Sequence, residues 1–276
     1  MSGHGRLSLH YRRDGARTTA HDHHHGPLRV LQRLYPEGPA ICHHVLVHPP
    51  GGMVGGDELE VDVTLDADSH ALVTTPGATR WYRSRGALAR QQAHLRLAAG
   101  ARLEWLPLEN IAYRGCQAGN GLRLQLAPGA EAMGWDLLAL GLPTAGEPFD
   151  SGRFSQQLEM PGHWLERAVI DAADRLLLDS PLGLAGHRVL ATMWWACGGP
   201  LQPARRQALL DSAREVLAAS PLRRAAGVTA PQPAVLVLRL LADSVEPALR
   251  CLQAVRAAWR REAWGLDAEP PRIWRT

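Results

Sequence analysis

The sequence predicts a mainly β protein, a helix-like (β-solenoid-like) stack of β-strands finished by two C-terminal α-helices. Three observations carry that reading. Residues 59–65, LEVDVTL, alternate strictly: Leu59, Val61, Val63 and Leu65 face one way and Glu60, Asp62 and Thr64 the other, as in a strand with one buried face. The same design recurs at Ala93, Leu95 and Leu97, and again at Leu122, Leu124 and Leu126. Aligned on Leu65, Leu97 and Leu126, the copies lie 32 and 29 residues apart, a period typical of stacked supersecondary units. Beyond Gly198-Gly199 the apolar spacing becomes helical.

The elements follow in order. Residues 7–19 read as a hairpin turning at Asp14-Gly15. LRVLQRL (28–34) and ICHHVLV (41–47) read as short strands. Each of the three alternating strands then passes through a tight turn (Asp68-Ser69, Gly100-Ala101, Gly129-Ala130) into a second strand. A fourth, weaker copy of the unit is expected from Ile170. In the last third, Leu209, Ala213, Val216 and Leu217 mark a helix that stops at Ser220-Pro221. AVLVLRLL (234–241) is an apolar strand. Ser244 opens the second helix, and Gly265 ends it. Its apolar stripe is Ala248, Leu252, Val255 and Trp259, with Arg250, Arg260 and Arg261 expected on the exposed side. The expected organisation is a single domain over 1–276: a β-rich body over 1–198, with two helices and a strand from 199–276 packed on it.

Composition narrows the function. The 276 residues suffice for a sizeable core, and a hydrophobic share of 46% argues against wholesale disorder. Net charge is only +3 and the basic residues, all arginine, are scattered, unlike the concentrated basic patch of a nucleic-acid binder. The four cysteines (42, 116, 197, 251) form neither a CxxC pair nor a disulfide framework. The opening residues have no apolar signal region, and no run approaches a membrane span. A soluble, reduced, cytoplasmic protein is expected.

HPPGGMVGGD (48–57) is not a phosphate loop, since no Lys or hydroxyl follows the glycines and the next segment is a strand. It reads as a rigid, close-packed connection ending in an acid, Asp57. HDHHH (21–25) reads as an exposed polar strand; His23 and His25 would share a face, which leaves weak surface metal binding open. His44 and His48, four strand steps or about 13 Å apart, are too distant for one ion. Cys42 and His44 share a face, with Cys42 read first as a small buried hydrophobe. Glu104 and Glu109 bracket LEWLPLEN, and Asp136 lies inside the apolar run GWDLLALGLP. A carboxylate among apolar neighbours is costly unless paired, wet or bound to a cation, so Asp136 is the leading buried functional acid. No G-x-S-x-G or Cys-His signature supplies a nucleophile.

Four strings in order, GPLRVLQRLYPEGPAICHHVLVHPPGGMVGGD, LVTTPGATRWYRS, LEWLPLENIAYRG and GWDLLALGLP, with the closing RIWRT, resemble the urease accessory protein family UreD, called UreH in some bacteria. The match runs from about Gly26 onward; HDHHH departs from it. The resemblance implies a non-catalytic, mostly β scaffold with stacked strands and two helices. It implies that the chain binds UreF, through it the GTPase UreG, and apo-urease. It implies no tightly bound cofactor but a transient Ni2+, passed through an internal channel to a site completed by a carbamylated lysine of urease. On the family's motifs, Asp57 and Asp136 are the first nickel-path candidates, followed by Thr79 and Glu109, then His48. A conduit must release its ion, which suits scattered single donors better than a closed cluster. The exposed arginines of the helices offer a surface for UreF. Two other readings compete. A carbohydrate-active β-solenoid enzyme would need exposed aromatic platforms and an acid pair, and an interaction module would carry no metal.

Overall fold

The computed structural model describes residues 3–275. Its long strands, in chain order, are β1 (His4–Asp14), β2 (Arg17–His25), β3 (Ile41–Val47), β4 (Glu58–Leu65), β5 (His70–Thr74), β6 (Ala89–Leu97), β7 (Arg102–Leu106), β8 (Cys116–Leu126), β9 (Glu131–Leu142), β10 (Gly152–Met160), β11 (Trp164–Asp171), β12 (Val189–Cys197), β13 (Ala226–Gln232) and β14 (Val235–Ala242). The helices are α1 (Arg175–Asp179), α2 (Pro203–Ala219) and α3 (Val245–Trp264). One sheet runs β11-β10-β8-β6-β4-β1-β2, and the other runs β13-β14-β12-β9-β7-β5-β3 and ends on the short strand Arg29–Val30.

The repeat is a two-sheet coil. β4, β6 and β8 stack in parallel in the first sheet, and β5, β7 and β9 do so in the second. Leu65, Leu97 and Leu126 are direct partners across neighbouring strands, so the alignment by sequence is also the register in space. The tight turns do not close hairpins; they carry the chain from one sheet to the other. The alternating residues of β4 face inward as expected, Leu59, Val61, Val63 and Leu65 being buried. With Leu7, Leu9, Leu95, Leu103 and Trp194 they form the core between the sheets. A second core lies on the far side of the second sheet, where Trp135, Met193 and Trp195 meet Leu209, Leu252 and Trp259 of the helices. Each such side chain contributes roughly 1.5–3 kcal/mol by leaving water.

The N-terminal hairpin forms as expected, with Asp14 opposite Arg17 and Gly15 at positive φ. Other expectations are corrected. Residues 28–34 make only the two-residue strand Arg29–Val30 and a single bridge from Leu34 to His43, because the polar Gln32 and Arg33 give that stretch no continuous inward face. The segment after Ile170 is not a fourth copy: β10 and β11 are antiparallel, and Asp174 accepts from Leu177 N at 2.9 Å to cap the short helix α1. β13 is an additional strand, paired antiparallel with β14. β14 pairs with β12, so the last third continues the second sheet while α2 and α3 cover its outer face.

The clearest correction concerns α3. Ser244 stands at its N-cap without a side-chain cap, and Gly265 ends it in the left-handed conformation. Arg250 and Arg261 are exposed, but Arg260 is wholly buried, as is Arg256 one turn earlier. Both guanidiniums reach Glu104 on β7: Arg256 Nε lies 2.6 Å from Oε2, and Arg260 Nη1 lies 3.1 Å from Oε1. Arg260 also pairs with Glu37, which His43 Nε2 meets at 2.8 Å. Of the three arginines expected on the exposed side, Arg250 and Arg261 are there, whereas Arg260 joins Arg256 in fastening the helix to the sheet. Among the described residues no helix is long and apolar enough to cross a membrane.

Candidate functional site

A break in the second sheet creates the site. β9 pairs with β7 at residues 131–134 and with the short strand Asn110–Ala112 at residues 138–140. Between those contacts the chain at Pro107–Glu109 leaves the ladder, and Trp135 Nε1 donates to the Pro107 carbonyl at 2.6 Å. Asp136 lies at this gap, paired on its other side with Thr192 of β12. It shares the inward side of β9 with Leu138 and Leu140, whereas Trp135 and Leu137 belong to the helix-side core.

The gap opens on a cavity of about 290 Å³ between the sheets. This is well above the roughly 10–15 Å³ that admits one water. His48, Thr75, Thr79, Arg80, Gln91, Asn110, Asn120 and Asp136 supply its polar lining, against Val61, Ala93, Leu122 and Leu158 among others. Asn120 of β8 reaches across, its Nδ2 donating to Asp136 Oδ2 at 2.6 Å. Gln91 Nε2 donates in turn to Asn120 Oδ1 at 3.3 Å, and Trp81 Nε1 holds Asn110 through Oδ1 at 3.0 Å.

Asp136 Oδ1 is buried and has no hydrogen-bond partner. Burial pushes this carboxyl up to about 6; the amides of Gln156, Asn120 and Asn110 oppose the rise, and the Glu166 carboxylate adds to it. Of the three amides only Asn120 meets hydrogen-bond geometry. Glu166 is itself engaged, accepting from Thr192 Oγ1 at 3.0 Å and from Arg239. Burial likewise moves His48 below its ordinary value, with Asp57 opposing, which favours the neutral imidazole that can ligate metal. The chemistry available is a half-satisfied carboxylate, a hydroxyl and a neutral imidazole on one cavity large enough to admit water, a loose set of donors for a cation.

The other acids lie elsewhere. Asp57 is not on the cavity: Oδ1 accepts from Gly3 N at 2.7 Å and Oδ2 from Val54 N at 2.9 Å, so the carboxylate closes the turn that ends HPPGGMVGGD. In that stretch a Cβ on Gly52 would fall 2.3 Å from the Tyr82 ring and 2.9 Å from the Arg80 carbonyl, which is the close packing expected there. Glu109 is half-buried beside the break, and its backbone carbonyl accepts from Thr79 N at 2.9 Å. His44 bonds Tyr11 through Nδ1 at 2.8 Å, and burial holds its ring down to about 4. Cys42 is buried. Among the described residues no three His, Cys, Asp or Glu side chains are gathered to hold an ion. No tryptophan is exposed, so the aromatic platforms of the carbohydrate reading are not built from tryptophan.

Sequence reasoning missed the amides. Asn120 takes an inward position of β8, between Ala118 and Leu122, and a polar side chain on the apolar side of an alternating strand was the available signal. Gln91, between Ala89 and Ala93, and Gln156, between Phe154 and Leu158, carry the same mark and are the register partners of Asn120, whereas Asn110 on its three-residue strand carries none.

A family model described as UreD urease accessory protein matches residues 3–275. The chain is 65% identical over 278 residues to the urease accessory protein UreD of Leptothrix cholodnii, covering 100% of both chains. It is 59% identical over 274 residues to that of Verminephrobacter eiseniae and 58% identical over 274 residues to that of Paracidovorax citrulli, covering 99% of each chain in both cases. On a match that spans nearly its whole length, this chain belongs to the UreD urease accessory protein family.

Proposed function

We propose that this chain is a non-catalytic maturation factor of urease that works in the cytoplasm. It binds UreF, and through it UreG, docks on apo-urease and passes nickel through the cavity between its sheets. Family membership supports the maturation role. The observation that carries the metal path is the free, buried Oδ1 of Asp136 on a cavity that His48 and Thr79 also line. A conduit needs donors that hold an ion briefly. One carboxylate with a spare oxygen and two weaker ligands can do so without trapping it. Asp57 enters this path only through its charge near His48, since both its oxygens are taken by backbone amides.

The test is co-expression of urease with UreF, UreG and either this chain or Asp136→Leu, with Asp136→Asn as the isosteric control. Nickel per urease active site is expected to fall for both variants, while co-elution with UreF and UreG persists on size exclusion. Equal nickel content in all three preparations would overturn the conduit and leave an interaction module. Loss of the complex with the unmodified chain would overturn the scaffold itself.

A further inference from the structure

The outer face of the N-terminal hairpin carries histidines that the interior path does not use. β1 and β2 are antiparallel, and β2 is the edge of the first sheet. Leu7, Leu9 and Tyr11 are buried, so the even-numbered residues of β1 face solvent. The register sets His10 directly opposite His21, with Ser8 opposite His23 and Arg6 opposite His25. His24 stands opposite the buried Leu7 and so belongs to the other face. The run HDHHH is therefore not one cluster: His21 and His23 share the face of His10, and His25 stands opposite Arg6, whose guanidinium is held by Glu60 and Asp62.

We propose that His10, His21 and His23 form an exchangeable surface site for one borderline divalent transition-metal ion, of the nickel, zinc or copper class. Directly opposed residues have Cβ atoms about 4.5–5.5 Å apart and diagonal neighbours about 7–8 Å, within reach of imidazoles closing on one ion. Imidazole suits those metals. A second observation points the same way. His10 Nε2 meets Asp66 Oδ1 at 2.8 Å. A carboxylate only accepts, so Nε2 is the donor in this contact and Nδ1 is the nitrogen left to meet an ion. A carboxylate behind the far nitrogen is the usual support of a metal-bound histidine. The cation close to this corner, Arg12, is turned to the same Asp66 at 3.8 Å. His10, His21 and His23 are exposed, so their rings can turn to meet an ion, and the site assembles on binding. This proposal does not depend on the interior path.

The test is Ni2+ binding to the full chain by isothermal titration, with folding of each variant checked by circular dichroism. One ion is expected per hairpin face. His10→Gln, His21→Gln and His23→Gln each weaken it by about tenfold or more, and Asp66→Asn by about tenfold. His24→Gln, on the other face of the hairpin, leaves it unchanged. If His24→Gln weakened binding as much as His21→Gln, a histidine run rather than a cross-strand site would hold the ion. Loss in Asp136→Asn alone would place the bound ion in the cavity. Either result, or no uptake at all, overturns the proposal.

Discussion

Arg256 and Glu104 meet at 2.6 Å, Nε to Oε2, with neither side chain reaching solvent. They lie 152 residues apart, one on α3 and one on β7, and the Arg260 guanidinium forms an ion pair with the other carboxylate oxygen at 3.1 Å. Breaking a buried pair from one side strands the remaining charge, at a cost of about 3–5 kcal/mol. Glu104→Ala is therefore expected to lower unfolding free energy by about that amount in urea titrations. Glu104→Leu combined with Arg256→Met should lose less than the two single changes added together. Simple additivity would show that the pair is not coupled.

The same carboxylate sets an acid limit. Burial opposes its ionisation, but Arg256, His70 and Arg260 outweigh burial and hold Glu104 down at about 2, against an ordinary 4.5. A carboxyl depressed by folding stabilises the fold above its unfolded value, and that stability drains as pH falls from about 4.5 toward 2. Unfolding free energy measured across this window should drop steeply in the unmodified chain and more shallowly in Glu104→Gln. Parallel curves would remove Glu104 as the cause.

How much was legible in sequence follows from where each partner lies. The strand stack was, because Leu65, Leu97 and Leu126 carry their own spacing and prove to be mutual partners. Asp136 was, because a charge within an apolar run is a local anomaly. Arg256 and Arg260 were not: a helical pattern assigns arginine to water, and only a carboxylate from a distant strand overrides it. Asp57 was half legible. Its place after the glycines was plain, but its partners, Gly3 and Val54, are backbone amides that no side-chain pattern reveals.

The segment after α3 returns over the same cluster. Trp274 Nε1 donates to Thr74 Oγ1 at 2.8 Å, and its ring lies 5.6 Å from that of Trp135. The Arg256 guanidinium sits 6.0 Å from the Trp274 ring. Trp274→Ala should cost about 2–4 kcal/mol, below the range for a full core tryptophan because this ring is half-buried. Hydrogen exchange should quicken along α3 near Arg256. Unchanged protection there would show that the tryptophan does not seal the cluster.

Asp57 separates a structural acid from an ion ligand. Asp57→Ala leaves the amides of Gly3 and Val54 without acceptors, a loss of about 1–3 kcal/mol in thermal or urea unfolding. Asp57→Asn keeps a carbonyl acceptor and should lose less. Any fall in urease activation should track that stability and recover at lower growth temperature. Nickel loss in Asp57→Asn at unchanged stability would instead make the residue a ligand.

Asp136 should behave in the opposite way. Its carboxyl is raised by folding, from 3.8 to about 6, chiefly by burial. A group raised in this way supports the fold fully below its unfolded value and loses that support as pH rises through about 6. At pH 7.5 the ionised Asp136 then weakens the fold by up to roughly 3 kcal/mol, since each tenfold change in an acidity constant on folding corresponds to about 1.4 kcal/mol. Asp136→Asn removes the charge and keeps the shape. It should unfold at higher urea than the unmodified chain at pH 7.5 and coincide with it near pH 4. The same variant is expected to deliver less nickel, because the oxygen left without a partner is the one a cation would use. Greater stability with poorer delivery is a pairing that a purely structural aspartate would not produce. If Asp136→Asn were less stable at pH 7.5, the carboxylate would be serving the fold, and the conduit would lose its principal ligand.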